Sequence, residues 1–126
     1  MTNKTAEAMA YIQIILNKTK NNRNLTLTVF KKLFEELPLQ VSIIKKALKN
    51  KHYALAQQTT HKLHGSASFC GFMDIQNAAH ALENCLINKN YKAIDQNFLL
   101  LQQAVLILAR HQSAIMDILN QGESIN

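Results

Sequence analysis

At 126 residues the chain can bury one hydrophobic core of useful size but not two, and an apolar fraction of 48% argues against disorder. Three glycines and one proline are too few breakers for a sandwich or barrel, and no apolar run approaches the roughly 18 residues of a spanning helix. The net charge of +6, from 14 Lys and Arg against 8 Asp and Glu, is scattered along the chain; it suits an acidic partner, protein or nucleic acid, without selecting one.

The longest apolar-rich piece, NFLLLQQAVLILA, is interrupted by Gln102 and Gln103. The N-terminus has no basic region followed by an apolar core and a cleavage site, so the chain reads as soluble, unexported and cytoplasmic. Cys70 and Cys85 lie inside helical patterns without C-x-x-C spacing, which points to buried free thiols rather than a disulfide or zinc site.

Five segments carry the 3.6-residue period of an amphipathic helix. The first, Lys4–Lys18, puts Met9, Ile12, Ile15 and Leu16 on one face. The polar NKTKNNRN follows, with Asn24 as the expected N-cap of the next helix. That helix aligns Phe30, Phe34, Leu37, Val41, Ile44 and Leu48, with a kink or short break expected at Pro38. The third, about 52–70, has the stripe Tyr53, Ala56, Thr60, Leu63, Ala67 and Cys70 and stops at Gly71. The fourth begins after Asp74 as N-cap and buries Ile75, Ala79, Leu82 and Leu86. The fifth is expected as one long helix, about 91–120, with Ile94, Phe98, Leu101, Val105, Leu108, Ile115 and Leu119 inward and Gly122 after it. Four such helices with short loops pack as an antiparallel up-down four-helix bundle. The first helix would cap that bundle. The expectation is a single all-α domain, 1–126, with its core over about 24–120.

The stretch THKLHGSASFCGF, residues 60–72, holds two of the five histidines and two of the three glycines. With Leu63 inward, His61 and His64 stand three apart on one face, with Gln57, Gly65 and Ser68 beside them. His61 should be open to solvent. Gly65 is an odd choice in mid-helix, where it costs about 1 kcal/mol relative to Ala. It leaves room, one turn after His61, for something bulky to approach the imidazole.

These residues, the LE at Leu82 and Glu83, the FEELP at residues 34–38 and the helix order resemble the histidine-containing phosphotransfer (Hpt) domains, most closely those that end hybrid sensor histidine kinases of bacteria. The resemblance extends over about residues 5–120. It implies that His61 takes a phosphoryl group on Nε2 from a receiver-domain aspartate and passes it to the aspartate of a response regulator. A neutral imidazole suits that role near pH 7, and phosphoryl transfer asks mainly for positioning and charge stabilisation. The resemblance further implies that Gly65 lets the partner close on His61, and that Glu83 orients the imidazole through Nδ1. The chain departs from the family where His64 stands in place of a common lysine. A docking patch around His61 would include Gln57, Lys62, His64, Gly65 and Ser68 from the third helix, and Gln76, His80 and Glu83 from the fourth.

No cofactor of its own is expected, since Mg²⁺ would sit on the receiver. With so few glycines a nucleotide-binding kinase domain is not expected, nor is autonomous catalysis. A monomer with no membrane contact and no nucleic acid is the simpler reading. Two alternatives are a metal site of His61, His64 and Glu83, which supplies only three ligands, and a basic helical nucleic-acid binder, for which no recognition helix or aromatic platform is visible.

Overall fold

The computed structural model describes the backbone of residues 4–125 and the side chains of residues 4–121. Residues 1–3 and 126, the ends of the expected domain, lie outside the described residues. Among these residues there are six helices and no strand: α1 (Lys4–Lys18), α2 (Arg23–Lys49), α3 (Tyr53–Cys70), α4 (Met73–Ile87), α5 (Tyr91–Ala109) and α6 (Gln112–Ile125). The fold is an all-α helical bundle. None of the helices is long and apolar enough to cross a membrane among the described residues.

The chain packs as two compact units, Glu36–Leu106 and the pair of segments Met1–Glu35 and Ile107–Asn126, with α2 and α5 contributing to both. In the first unit, α2 supplies Leu37, Val41, Ile44 and Ala47, and α3 supplies Ala56, Leu63, Ala67 and Cys70. Facing residues are Ile75, Ala79, Leu82 and Leu86 of α4 and Ile94, Phe98, Leu101 and Val105 of α5. Each helix thus buries one stripe at three- and four-residue spacing, connections of two or three residues join consecutive helices, and α3 packs against α4. In the second unit, α1 packs against α6. Ala8, Ile12 and Ile15 are buried there with Leu27, Phe30 and Leu33 of α2 and Ile115 and Leu119 of α6. Arg23 Nη2 donates to the Ile118 carbonyl at 2.6 Å.

Several boundaries depart from the sequence expectation. α2 begins at Arg23 and its cap is Asn22, not Asn24: Asn22 Oδ1 accepts the Leu25 N–H at 2.9 Å. Pro38 lies inside an uninterrupted α2, because buried Leu33, Leu37 and Val41 hold the helix on both sides of the lost hydrogen bond. α4 starts one residue before Asp74, which sits in the first turn, where its charge favours the helix N-terminus, while Phe72 occupies the cap position. Met9 points outward, and Leu16, Phe34 and Leu48 are half-buried at the edges of their stripes. α6 continues through Gly122 to Ile125. Cys70 is buried and Cys85 half-buried, and neither is in a disulfide.

The long fifth helix is two helices. Between α5 and α6, His111 turns its ring back so that Nδ1 donates to the Ile107 carbonyl at 2.9 Å, satisfying a group left free by the end of α5. The other ring nitrogen lies 2.7 Å from Glu7 of α1, and Tyr11 packs against the ring at 5.2 Å between centroids. No glycine or proline marks this break, since its partners come from a helix a hundred residues away.

The turns between the helices explain how a chain with so few glycines folds back repeatedly. Lys20, Asn21, Lys51 and Lys89 all take positive φ, between 55° and 64°. After α2 the His52 N–H reaches the Ala47 carbonyl at 2.8 Å, and after α4 the Asn90 N–H reaches Cys85 at 2.9 Å. Both are Schellman-type ends with lysine where glycine is usual. A non-glycine residue in this region costs about 1–2 kcal/mol. Lys89→Gly should therefore raise the unfolding free energy by about 1 kcal/mol in urea titration, after the entropy of glycine offsets part of the relief.

Candidate functional site

The site is built on the α3–α4 hairpin. Thr60 and Leu63 are fully buried on either side of His61 in sequence, and Thr60 Oγ1 donates to the Ala56 carbonyl at 2.7 Å. These anchors fix the rotation of α3 and leave His61 outward, with a side chain 72% exposed. At the end of α3, Gly71 takes φ 78° and its N–H meets the Ala67 carbonyl at 2.9 Å, while the Phe72 N–H reaches the same carbonyl at 3.1 Å. The chain resumes helix at Met73 with Phe72 buried. The reversal lays α4 antiparallel against α3, so that His61 meets Glu83 and His64 meets His80.

His61 Nδ1 lies 2.7 Å from Glu83 Oε2. Nδ1–H donates a hydrogen bond to the carboxylate, which leaves the lone pair of the neutral ring on Nε2 of a mostly exposed side chain. Glu83 is only 13% exposed, so its orientation is set by the helix pair rather than by water. Its second oxygen, Oε1, stands 3.8 Å from His64 Nδ1, beyond a direct hydrogen bond but within charge-pairing range. His64 is partly sheltered and its ring stacks obliquely on that of His80, with centroids 5.4 Å apart. His80 is held in turn by Asn84, whose side-chain amide donates to His80 Nε2 at 3.2 Å. Two imidazoles, His61 and His64, thus face the Glu83 carboxylate, and a third, His80, packs on the ring of His64. Among the described residues no group of three or more His, Cys, Asp or Glu side chains is arranged to hold a metal ion, so the metal-binding alternative finds no ligand set there.

Gly65 lies one turn from His61 on the same outward side, and a Cβ built there would meet nothing within 4 Å. The chain's own packing therefore does not require glycine. The space above Gly65 is open to a visitor.

The remaining expected residues divide by flank. Gln57, His64, Ser68 and Gln76 are half-buried along the seam between α3 and α4, whereas Lys62 and His80 are exposed. At about 100° per residue, Gln58, His61, Lys62, Gly65 and Phe69 share a sector of about 100° of α3, and all five are exposed. The open face is thus turned further from α4 than the sequence reading placed it. Gln58, Phe69 and Asn84 went unnamed there. Projecting the whole of α3 around its own buried stripe would have found Gln58 and Phe69, since both fall opposite it.

Comparison with known proteins gives one family and one fold. A family model described as Hpt domain matches residues 28–114. Among solved structures, the HPT domain of a sensor hybrid histidine kinase from Shewanella aligns with a TM-score of 0.71 and 27% identity, over 87% of this chain and 92% of that one. No curated protein sequence matches.

Because the position of Gly65 is empty on all sides, Gly65→Ala should stabilise α3 by up to about 1 kcal/mol. Urea unfolding followed by circular dichroism reads this directly. A loss of stability would mean that the helix needs glycine for its own packing.

Proposed function

The chain belongs to the Hpt domain family, and from that membership we propose that His61 is the group that carries the phosphoryl. Membership makes the chain a phosphotransfer module of two-component signalling; the proposal concerns which residues act and with whom. The observation that supports it best is the Nδ1 contact to Glu83 at 2.7 Å beneath an otherwise exposed ring. It presents a nucleophilic Nε2 to an incoming partner without further machinery.

The donor would be the aspartyl phosphate of a receiver domain, which also brings the Mg²⁺. His61 Nε2 attacks the phosphorus in line; the P–O bond to the aspartate breaks as the P–N bond forms, and the carboxylate leaves with the electron pair. No proton has to move at Nε2. The Nδ1 proton stays on Glu83's side of the ring and spreads the positive charge that the imidazole gains. Transfer onward to a response-regulator aspartate reverses these steps. We assign His64, in the place of a lysine, to help balance the phosphoryl charge, since one N–H can be donated by the neutral ring and a full charge supplied by the protonated one. Gly65 admits the partner, and Lys62, His80, Gln57, Ser68 and Gln76 border its footprint. We place this exchange in the cytoplasm, with the chain acting as a monomer.

Incubation with a phosphorylated receiver should label the protein with an acid-labile phosphate, and His61→Gln should abolish it. Label retained in that variant overturns the assignment. Glu83→Ala should slow transfer by about tenfold or more while leaving the fold intact, the loss expected when a charge-assisted hydrogen bond worth about 1.5–3 kcal/mol is removed. His64→Lys should retain transfer and His64→Ala should reduce it. Initial rates against a panel of receivers supply the readout for all three.

A further inference from the structure

Of the five phenylalanines, Phe30, Phe72 and Phe98 are buried and Phe34 is half-buried, but Phe69 is 67% exposed. It is more exposed than any other large apolar side chain among the described residues. An outward aromatic gains nothing for this chain's own core and loses hydrophobic free energy to water. Isolated exposed apolar residues are ordinary on surfaces, so the position of Phe69 has to carry the argument.

That position is restrictive. Phe69 lies four residues after Gly65 and eight after His61, in the exposed sector of α3 that contains both. Eight residues of helix span about 12 Å. A partner that brings an aspartate to His61 Nε2 must cover a patch centred there. Even a small specific interface hides about 600–800 Å² of each partner, a disc of about 14–16 Å radius. Phe69 therefore falls inside any such footprint that extends toward the Gly71 turn. Between the two residues lies Gly65, with open space where its side chain would be, so a partner element can lie along α3 from the imidazole to the aromatic ring unobstructed. Met73, 57% exposed at the start of α4, extends apolar surface at the same end of the hairpin.

We propose that Phe69, seconded by Met73, is the apolar anchor by which the phosphoryl-exchanging receiver domain docks. This rests on the assignment of His61 as the phosphoryl carrier. The partner is thereby specified in chemical terms: it carries an apolar patch about 12 Å from its phosphorylatable aspartate. Phe69 sets which receivers are accepted, and it takes no part in the bond-making step.

The test separates docking from chemistry by using two phosphodonors on the full chain. One is a phosphorylated receiver chosen from a transfer panel; the other is phosphoramidate, a small donor that needs no docking surface. Phe69→Ala should lower the second-order rate of transfer from the receiver by about tenfold or more, as expected for an aromatic anchor, and leave the rate at saturating receiver unchanged. Its labelling by phosphoramidate should equal that of the unaltered chain, and Phe69→Leu should recover much of the loss. Full receiver transfer by Phe69→Ala overturns the proposal, as does an equal loss with both donors, which would place Phe69 in the support of His61. Sedimentation showing a dimer of the unaltered chain that Phe69→Ala dissociates would assign the face to a second copy instead. If no receiver labels the unaltered chain, or if His61→Gln is still labelled, the phosphoryl-carrier assignment fails and the docking proposal with it.

Discussion

The antiparallel register of α3 on α4 is the constraint on which the site depends. It is set at one end by Gly71 and Phe72, which close α3 and reopen helix within two residues. Along the pair it is held by the buried stripes that include Leu63, Ala67, Ile75, Ala79 and Leu82. With that register, two contacts between residues far apart in sequence form together: His61 with Glu83, and His64 with His80. A slip of one helical turn, about 5.4 Å, would carry Glu83 out of reach of His61 and separate the stacked rings. The hydrogen bond that orients the imidazole is thus a product of apolar packing beneath it.

The same packing divides labour around α3. The inward side consists of Ala, Leu, Cys and two threonines, and the Thr60 hydroxyl finds its partner inside the helix. The α4-facing flank is half-buried and polar; it holds the second histidine, His64, and faces the Glu83 carboxylate of α4. The outward side is open, and the missing side chain of Gly65 makes it more so. On the proposed reading of His61 as phosphoryl carrier such a site needs no cleft, because the visiting receiver would supply the walls, the metal and most of the charge balance. This is why a single helix face with a well-oriented imidazole can serve.

How much of this could be read from residues alone differs from element to element. The inward stripe of α4, Ile75, Ala79, Leu82 and Leu86, was legible in full, as were the seven inward residues from Ile94 to Leu119. Helix periodicity reports burial directly. Element ends were less legible. Lys51 and Lys89 carry no turn signal, yet both take the left-handed conformation that ends a helix. The break before α6 depends on Glu7 and Tyr11 meeting His111, and a local window contains neither. Pro38 failed as a signal in the other direction, because packing on both sides outweighed its single missing hydrogen bond.

By itself, the sequence determined the helical class, the inward stripes, the Gly71 stop and the family, because these follow from local periodicity, a left-handed glycine and a short contiguous motif around His61. Tertiary structure set at 2.7 Å the contact of Glu83 with His61 that the resemblance only implied, and it alone decided that His80 packs on His64 and that Phe69 stands open beyond Gly65. Those facts depend on the rotation and register of two packed helices. Shifts of a fraction of a turn, too small for a hydrophobic pattern to resolve, are enough to make or break them.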